Sequence, residues 1–72
     1  MENLTPLRRA IEIVGTQTAL AAKIGRRQST IHEWVKRGWP APEACRAIEE
    51  ATGGQVTAAE LLEPAMRKGE AA

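Results

Sequence analysis

Apolar residues recur at helical spacing along most of this chain, and the polar breaks between them fall on residues that start or stop helices. Leu7, Ile11 and Val14 form the first stripe. Ahead of it stand Thr5, a capping hydroxyl, and Pro6, whose fixed φ suits a first helical turn; Gly15 ends the segment. A second helix follows, capped by Thr16 or Thr18, with Leu20, Ala21 and Ile24 on its apolar side. Gly25 closes it, because a glycine takes the left-handed conformation without a Cβ penalty and turns the chain sharply. The third helix is predicted over about Gln28 to Arg37. Ile31, Trp34 and Val35 lie at i, i+3 and i+4 on its inner face, and Gly38 stops it. Ser29, His32, Glu33 and Lys36 point the other way, flanked by Gln28 and Thr30.

Trp39-Pro40-Ala41-Pro42 reads as an extended link, since a residue before proline is pushed away from helical angles. Pro42 or Glu43 opens a fourth helix through about Ala51, with Ala44, Ala47 and Ile48 as its packing face and Thr52-Gly53-Gly54 as its end. Gln55-Val56 suggests a very short extended piece, and whether residues 55–57 form a strand stays open. Thr57 caps a fifth helix from Ala58 to about Leu62 or Glu63, with Glu60 placed to complete a capping box. The predicted fold is all-α, a compact bundle of about five short helices over residues 1–64, followed by a frayed tail at 65–72. Trp34, on a stripe, belongs to the core. Trp39 either fills the gap between the third and fourth helices or is exposed for a partner.

The second and third helices have the features of a helix-turn-helix. Ala21 is small where two axes must approach, Gly25 supplies the turn, and Leu20, Ile24, Ile31 and Trp34 hold the pair together. Polar side chains on a helix stiffened from behind are what reading double-stranded DNA in the major groove demands. On that reading Gln28, Ser29 and His32 contact base edges, Glu33 accepts from cytosine, and Arg27 contacts guanine or phosphate. Gln17 and Thr18 at the start of the second helix, with Arg26, Thr30, Lys36, Arg37 and either Arg8 or Arg9, serve the DNA backbone. The competing reading, a merely solvated polar face, is weakened by the combination of Ala21, Gly25, Ile31 and Trp34 around Gln28-Ser29-Thr30.

Composition narrows the function. The net charge is +1, but residues 8–37 hold seven basic residues against two acidic ones, whereas from Glu43 onward six glutamates face three basic residues. The basic part coincides with the proposed DNA face. Seventy-two residues make one small domain in which a substrate-enclosing cavity is hard to build, so no enzyme is expected. With one cysteine, Cys45, and one histidine there is neither an internal disulfide nor a metal-ligand cluster, and no cofactor is expected. Cys45 reads as a small buried hydrophobe. No apolar run approaches the roughly 20 residues that span a bilayer and no leader precedes the domain, so a cytoplasmic location is expected.

Thr18 to Gly25 (TALAAKIG), Gln28 to Val35 (QSTIHEWV), Ala47 to Glu49 (AIE) and Gly53 to Thr57 (GGQVT) resemble the small Cro-type repressors of lambdoid phages and the related YdaS-like antitoxin family of prophages. The resemblance covers residues 4–64. It implies a sequence-specific DNA-binding repressor with an all-helical core and a C-terminal segment that is helical in some members and stranded in others. Arg27, Gln28, Ser29, His32 and Glu33 match base-contacting positions of the Cro recognition helix, and Gln17 matches a backbone-binding residue. Arg26 and Arg27 depart from the family pattern, which has an aliphatic residue after the glycine and a Ser or Thr cap. A single module buries limited surface, so a homodimer on half-sites about 34 Å apart is expected, with Gln55 to Leu62 as the first candidate for its contact. The alternative is an antitoxin or adaptor acting mainly through a protein partner, gripped by the acidic C-terminal half or Trp39.

Overall fold

The computed structural model describes residues 5–67, and it is helical throughout its regular structure. Five α-helices follow in order: α1 (Pro6–Val14), α2 (Gln17–Ile24), α3 (Gln28–Arg37), α4 (Cys45–Ala51) and α5 (Ala58–Arg67). A one-turn 3-10 helix, Pro42–Ala44, leads into α4. The expected fourth helix is therefore split, because the Ala44 N–H closes a tight turn on the Ala41 carbonyl at 2.9 Å. Among the described residues there is no strand, which settles the question left open at 55–57.

Local chemistry sets most of the boundaries. The Thr5 hydroxyl accepts from the Arg8 N–H at 3.1 Å, with Pro6 in the first turn. Of the two candidate caps for α2 it is Thr16 that accepts, from the Ala19 N–H at 3.0 Å. Gly25 ends α2 at φ 74°, and both its N–H and that of Arg26 turn back to the Ala21 carbonyl. Gly38 ends α3 in the same left-handed region.

One core gathers the inner faces of all five helices. Leu7, Leu20, Ile31, Ile48, Val56 and Leu61 are fully buried, with Ala10, Ala21, Trp34, Ala44 and Cys45 beside them. On α4 the buried neighbour of Ile48 is Cys45, while Ala47, expected there, is only half-buried. Pro40 is buried as well, which anchors the extended link between α3 and α4. Burial, reinforced by the Glu43 carboxylate, pushes the Cys45 thiol above its ordinary pKa.

The chain between α4 and α5 is held by side chains. Thr52, buried and polar, accepts the Val56 N–H on its hydroxyl at 3.2 Å and lies 3.0 Å from the Glu49 carbonyl, to which that hydroxyl donates. Thr57 caps α5 through the Glu60 N–H at 3.2 Å. The expected reciprocal half of a capping box is replaced: the Glu60 carboxylate turns to Arg9 at 3.3 Å, and Glu49 accepts the Ala58 N–H instead. The fifth helix also runs past its expected end at Leu62 or Glu63, through Pro64 to Arg67. A proline removes one intrahelical donor, a local cost that Leu61, fixed in the core, and half-buried Leu62 offset by seating the segment. Of the tail expected at 65–72, residues 68–72 lie outside the described residues.

Candidate nucleic-acid interface

The α3 helix presents two unlike faces. Ile31 and Trp34 are buried against α2 and the core, with Val35 packed beside them. Gln28, Ser29, His32, Glu33 and Lys36 are all exposed, so the five polar side chains project from a helix whose opposite side is fixed. Arg27 is the N-cap residue, extended and exposed, and its side chain makes no capping bond; its carbonyl accepts from Thr30 and Ile31. Lys36 and Arg37 sit in the last turn, where positive charge complements the helix dipole.

The expected backbone-contacting residues divide. Thr18 and Arg26 are exposed, and Thr30 is half-buried. Gln17, also half-buried, lines a cleft of about 180 Å³ with Arg8, Ile11, Glu12 and Val35, which brings the start of α2 and one arginine of α1 beside α3. Its Oε1 is buried without a hydrogen-bond partner. Arg9, the other α1 candidate, is engaged elsewhere: besides Glu60 it donates to the Gln55 carbonyl at 3.5 Å. That arginine ties α1 to α5, a role invisible in the sequence because its partners lie 46 and 51 positions away.

Arginines also meet both tryptophans. The Arg26 guanidinium lies 5.7 Å from the centre of the Trp34 ring, and that of Arg37 lies 5.6 Å from the Trp39 ring. Arg37 further donates its Nε–H to the Trp39 carbonyl at 2.8 Å. Arg26 thus stands where the family pattern has an aliphatic residue, and its guanidinium lies over the Trp34 indole. Trp39 is half-buried, between the two alternatives considered for it.

Away from this face, a hollow of about 380 Å³ is lined by Arg46, Glu49, Glu50, Gly53 and Gly54, and one Glu49 oxygen there already accepts the Ala58 N–H. Among the described residues no group of His, Cys, Asp or Glu is placed to hold a metal ion, and no helix is long and apolar enough to cross a membrane.

The family profile described as bacterial toxin YdaS matches residues 7–65, which takes in all five helices almost entirely. The chain belongs to the YdaS family. A YdaS relative from Escherichia coli strain K12, described as a candidate transcriptional regulator, is 41% identical over 56 residues, covering 75% of this chain and 56% of that protein. The chain therefore spans little more than half the length of that YdaS protein. A solved structure, the Cro protein from the candidate prophage element Xfaso 1 of Xylella fastidiosa strain Ann-1, superposes with a TM-score of 0.80 at 39% identity, covering 85% of this chain and 94% of that one. Within the YdaS family this chain accordingly has the all-helical, Cro-like helix-turn-helix bundle.

Proposed function

We propose that this chain is a non-enzymatic, sequence-specific DNA-binding regulator of prophage type, which represses by occupying a pseudo-palindromic operator through the major groove. The observation that carries this reading is the separation of faces on α3: a buried Ile31–Trp34 side, and an exposed row of Gln28, Ser29, His32, Glu33 and Lys36. The descriptions of the E. coli relative as a regulator and of the Xylella neighbour as a Cro protein support it.

In this mechanism α3 enters the groove, and Gln28, Ser29 and His32 read base edges, with Glu33 accepting from cytosine and Arg27 donating to guanine or phosphate. Gln17, Thr18, Arg26, Thr30, Lys36 and Arg37 fix the register on the phosphates. Arg8, in the cleft beside Gln17, joins them, whereas Arg9 is withdrawn to Glu60.

Two copies bind together on half-sites about 34 Å apart. The contact proposed at Gln55 to Leu62 narrows, since Val56 and Leu61 lie inside the chain's own core. The apolar side chains that α5 leaves exposed are Ala59 and Met66, at i and i+7, with Met66 61% exposed and Leu62, half-buried against the core, between them.

Selection from a randomised duplex pool at two salt concentrations, followed by sequencing, tests this reading. Enrichment of a two-fold sequence with half-sites one helical turn apart is the expected result. Salt-sensitive retention with no enriched sequence would remove the claim of sequence specificity and favour action through a protein partner.

A further inference from the structure

The chain has no phenylalanine or tyrosine and two tryptophans, and both indole rings are covered by an arginine from an end of α3. Arg26 precedes the helix and lies over Trp34; Arg37 ends it and lies over Trp39. We propose that Trp34 and Trp39 are positioning residues for DNA binding, each ordering one arginine so that two phosphates meet guanidinium groups already set in place. This rests on the reading of α3 as the recognition helix.

The chemistry favours such a role. A guanidinium lying over an aromatic face keeps its N–H donors around its edge, free for an oxyanion. Arg26 is exposed, and Arg37 spends only its Nε–H, on the Trp39 carbonyl at 2.8 Å, so its two Nη groups remain. A helix of 10 residues is roughly 15 Å long, so arginines at its two ends serve separate phosphates. With both guanidinium groups exposed to solvent, each contact adds little to folding. Its larger consequence is to remove side-chain freedom before DNA arrives, which binding would otherwise have to remove.

The test uses the purified full chain and a duplex recovered from the selection, with affinity measured across a series of salt concentrations. Arg37→Ala deletes a charge and should lower the slope of log affinity against log salt by about one. Trp39→Leu keeps the charge and should leave that slope unchanged while weakening binding about three- to tenfold. In the Arg37→Ala background, Trp39→Leu should then have no further effect. With Arg37 present, Trp39→Phe, which retains a ring, should keep most of the affinity that Trp39→Leu loses. Arg26→Ala with Trp34→Leu makes the parallel cycle, Trp34→Phe serving as its ring-retaining control, with circular dichroism confirming that each variant is folded. Equal weakening by Trp39→Leu in both backgrounds, or none in either, would overturn the proposal, because a tryptophan acting only on structure is indifferent to the arginine. A wild-type chain that binds no duplex would instead defeat the DNA reading itself.

Discussion

The carboxylate of Glu49, in α4, accepts the backbone N–H of Ala58, the first residue of α5, at 3.1 Å. One helix thus supplies the cap of the next, alongside the local cap from Thr57. Glu49→Ala should cost about 1 kcal/mol, the usual range for loss of a helix cap. In a domain of this size that is a fall in Tm of roughly 4–8 °C, read by thermal melting. Glu49→Gln keeps an acceptor oxygen and should fall by less; an unchanged Tm in Glu49→Ala would show that Thr57 suffices.

Thr52 offers a sharper contrast, because its hydroxyl is the acceptor for a buried N–H, that of Val56. Thr52→Val keeps the shape and strands that donor, which should cost about 1–3 kcal/mol in urea unfolding. Thr52→Ser preserves the oxygen and should recover most of the loss. If valine and serine behave alike, the hydroxyl is not what holds the turn.

Under the proposed function, base reading and phosphate anchoring on the α3 face should be separable. Gln28→Ala should relax base preference at one operator position by about 1–3 kcal/mol while leaving random DNA bound as before. Lys36→Ala should weaken all duplexes alike and lower the salt slope by about one. Competition binding with cognate and random duplexes distinguishes them, and equal losses on both for Gln28→Ala would strike it from the readers.

Cys45 should resist alkylation in the folded protein. It is buried, its sulfur lies 3.6 Å from the Ala41 carbonyl, and its thiol is held above its ordinary pKa by burial and by Glu43. Because the folded form holds this proton more tightly than the unfolded one, the group's contribution to stability is present below the unfolded thiol's pKa and is lost as pH rises from there through the raised folded one. Iodoacetamide labelling should therefore track global unfolding in urea, and rapid labelling without denaturant would contradict the burial.

The helices were legible where local chemistry decides: Thr5-Pro6 at the start of α1, Gly25 and Gly38 at the ends of α2 and α3, and the Ile31–Trp34 stripe between them. What the sequence concealed are pairings between distant positions. Arg9 has a phosphate-seeking charge until α5 brings Glu60 to it, and Glu49 is a solvent-facing residue until α4 meets Ala58. Pro64 misled for the opposite reason, since the local rule of a breaker yielded to a segment already seated by Leu61. For the candidate site, the outward face of α3 follows from helical period alone. That Arg26 would settle on Trp34 does not, because Gly25 turns the chain between α2 and α3 and their packing has to put the ring within reach.

The glycine-bounded α3 also separates two kinds of inheritance. Gln28, Ser29, His32, Glu33 and Lys36 lie outside the buried core, while Ile31 and Trp34 carry the helix's share of it. Exchanges among the outward five leave the scaffold standing, since surface substitutions of this kind move stability by less than about 0.5 kcal/mol. If those five side chains read the operator as proposed, a lineage carrying this domain would change its target by drift at a handful of codons without first acquiring a stabilising mutation, and an engineer would graft a new address onto the same ten-residue cassette.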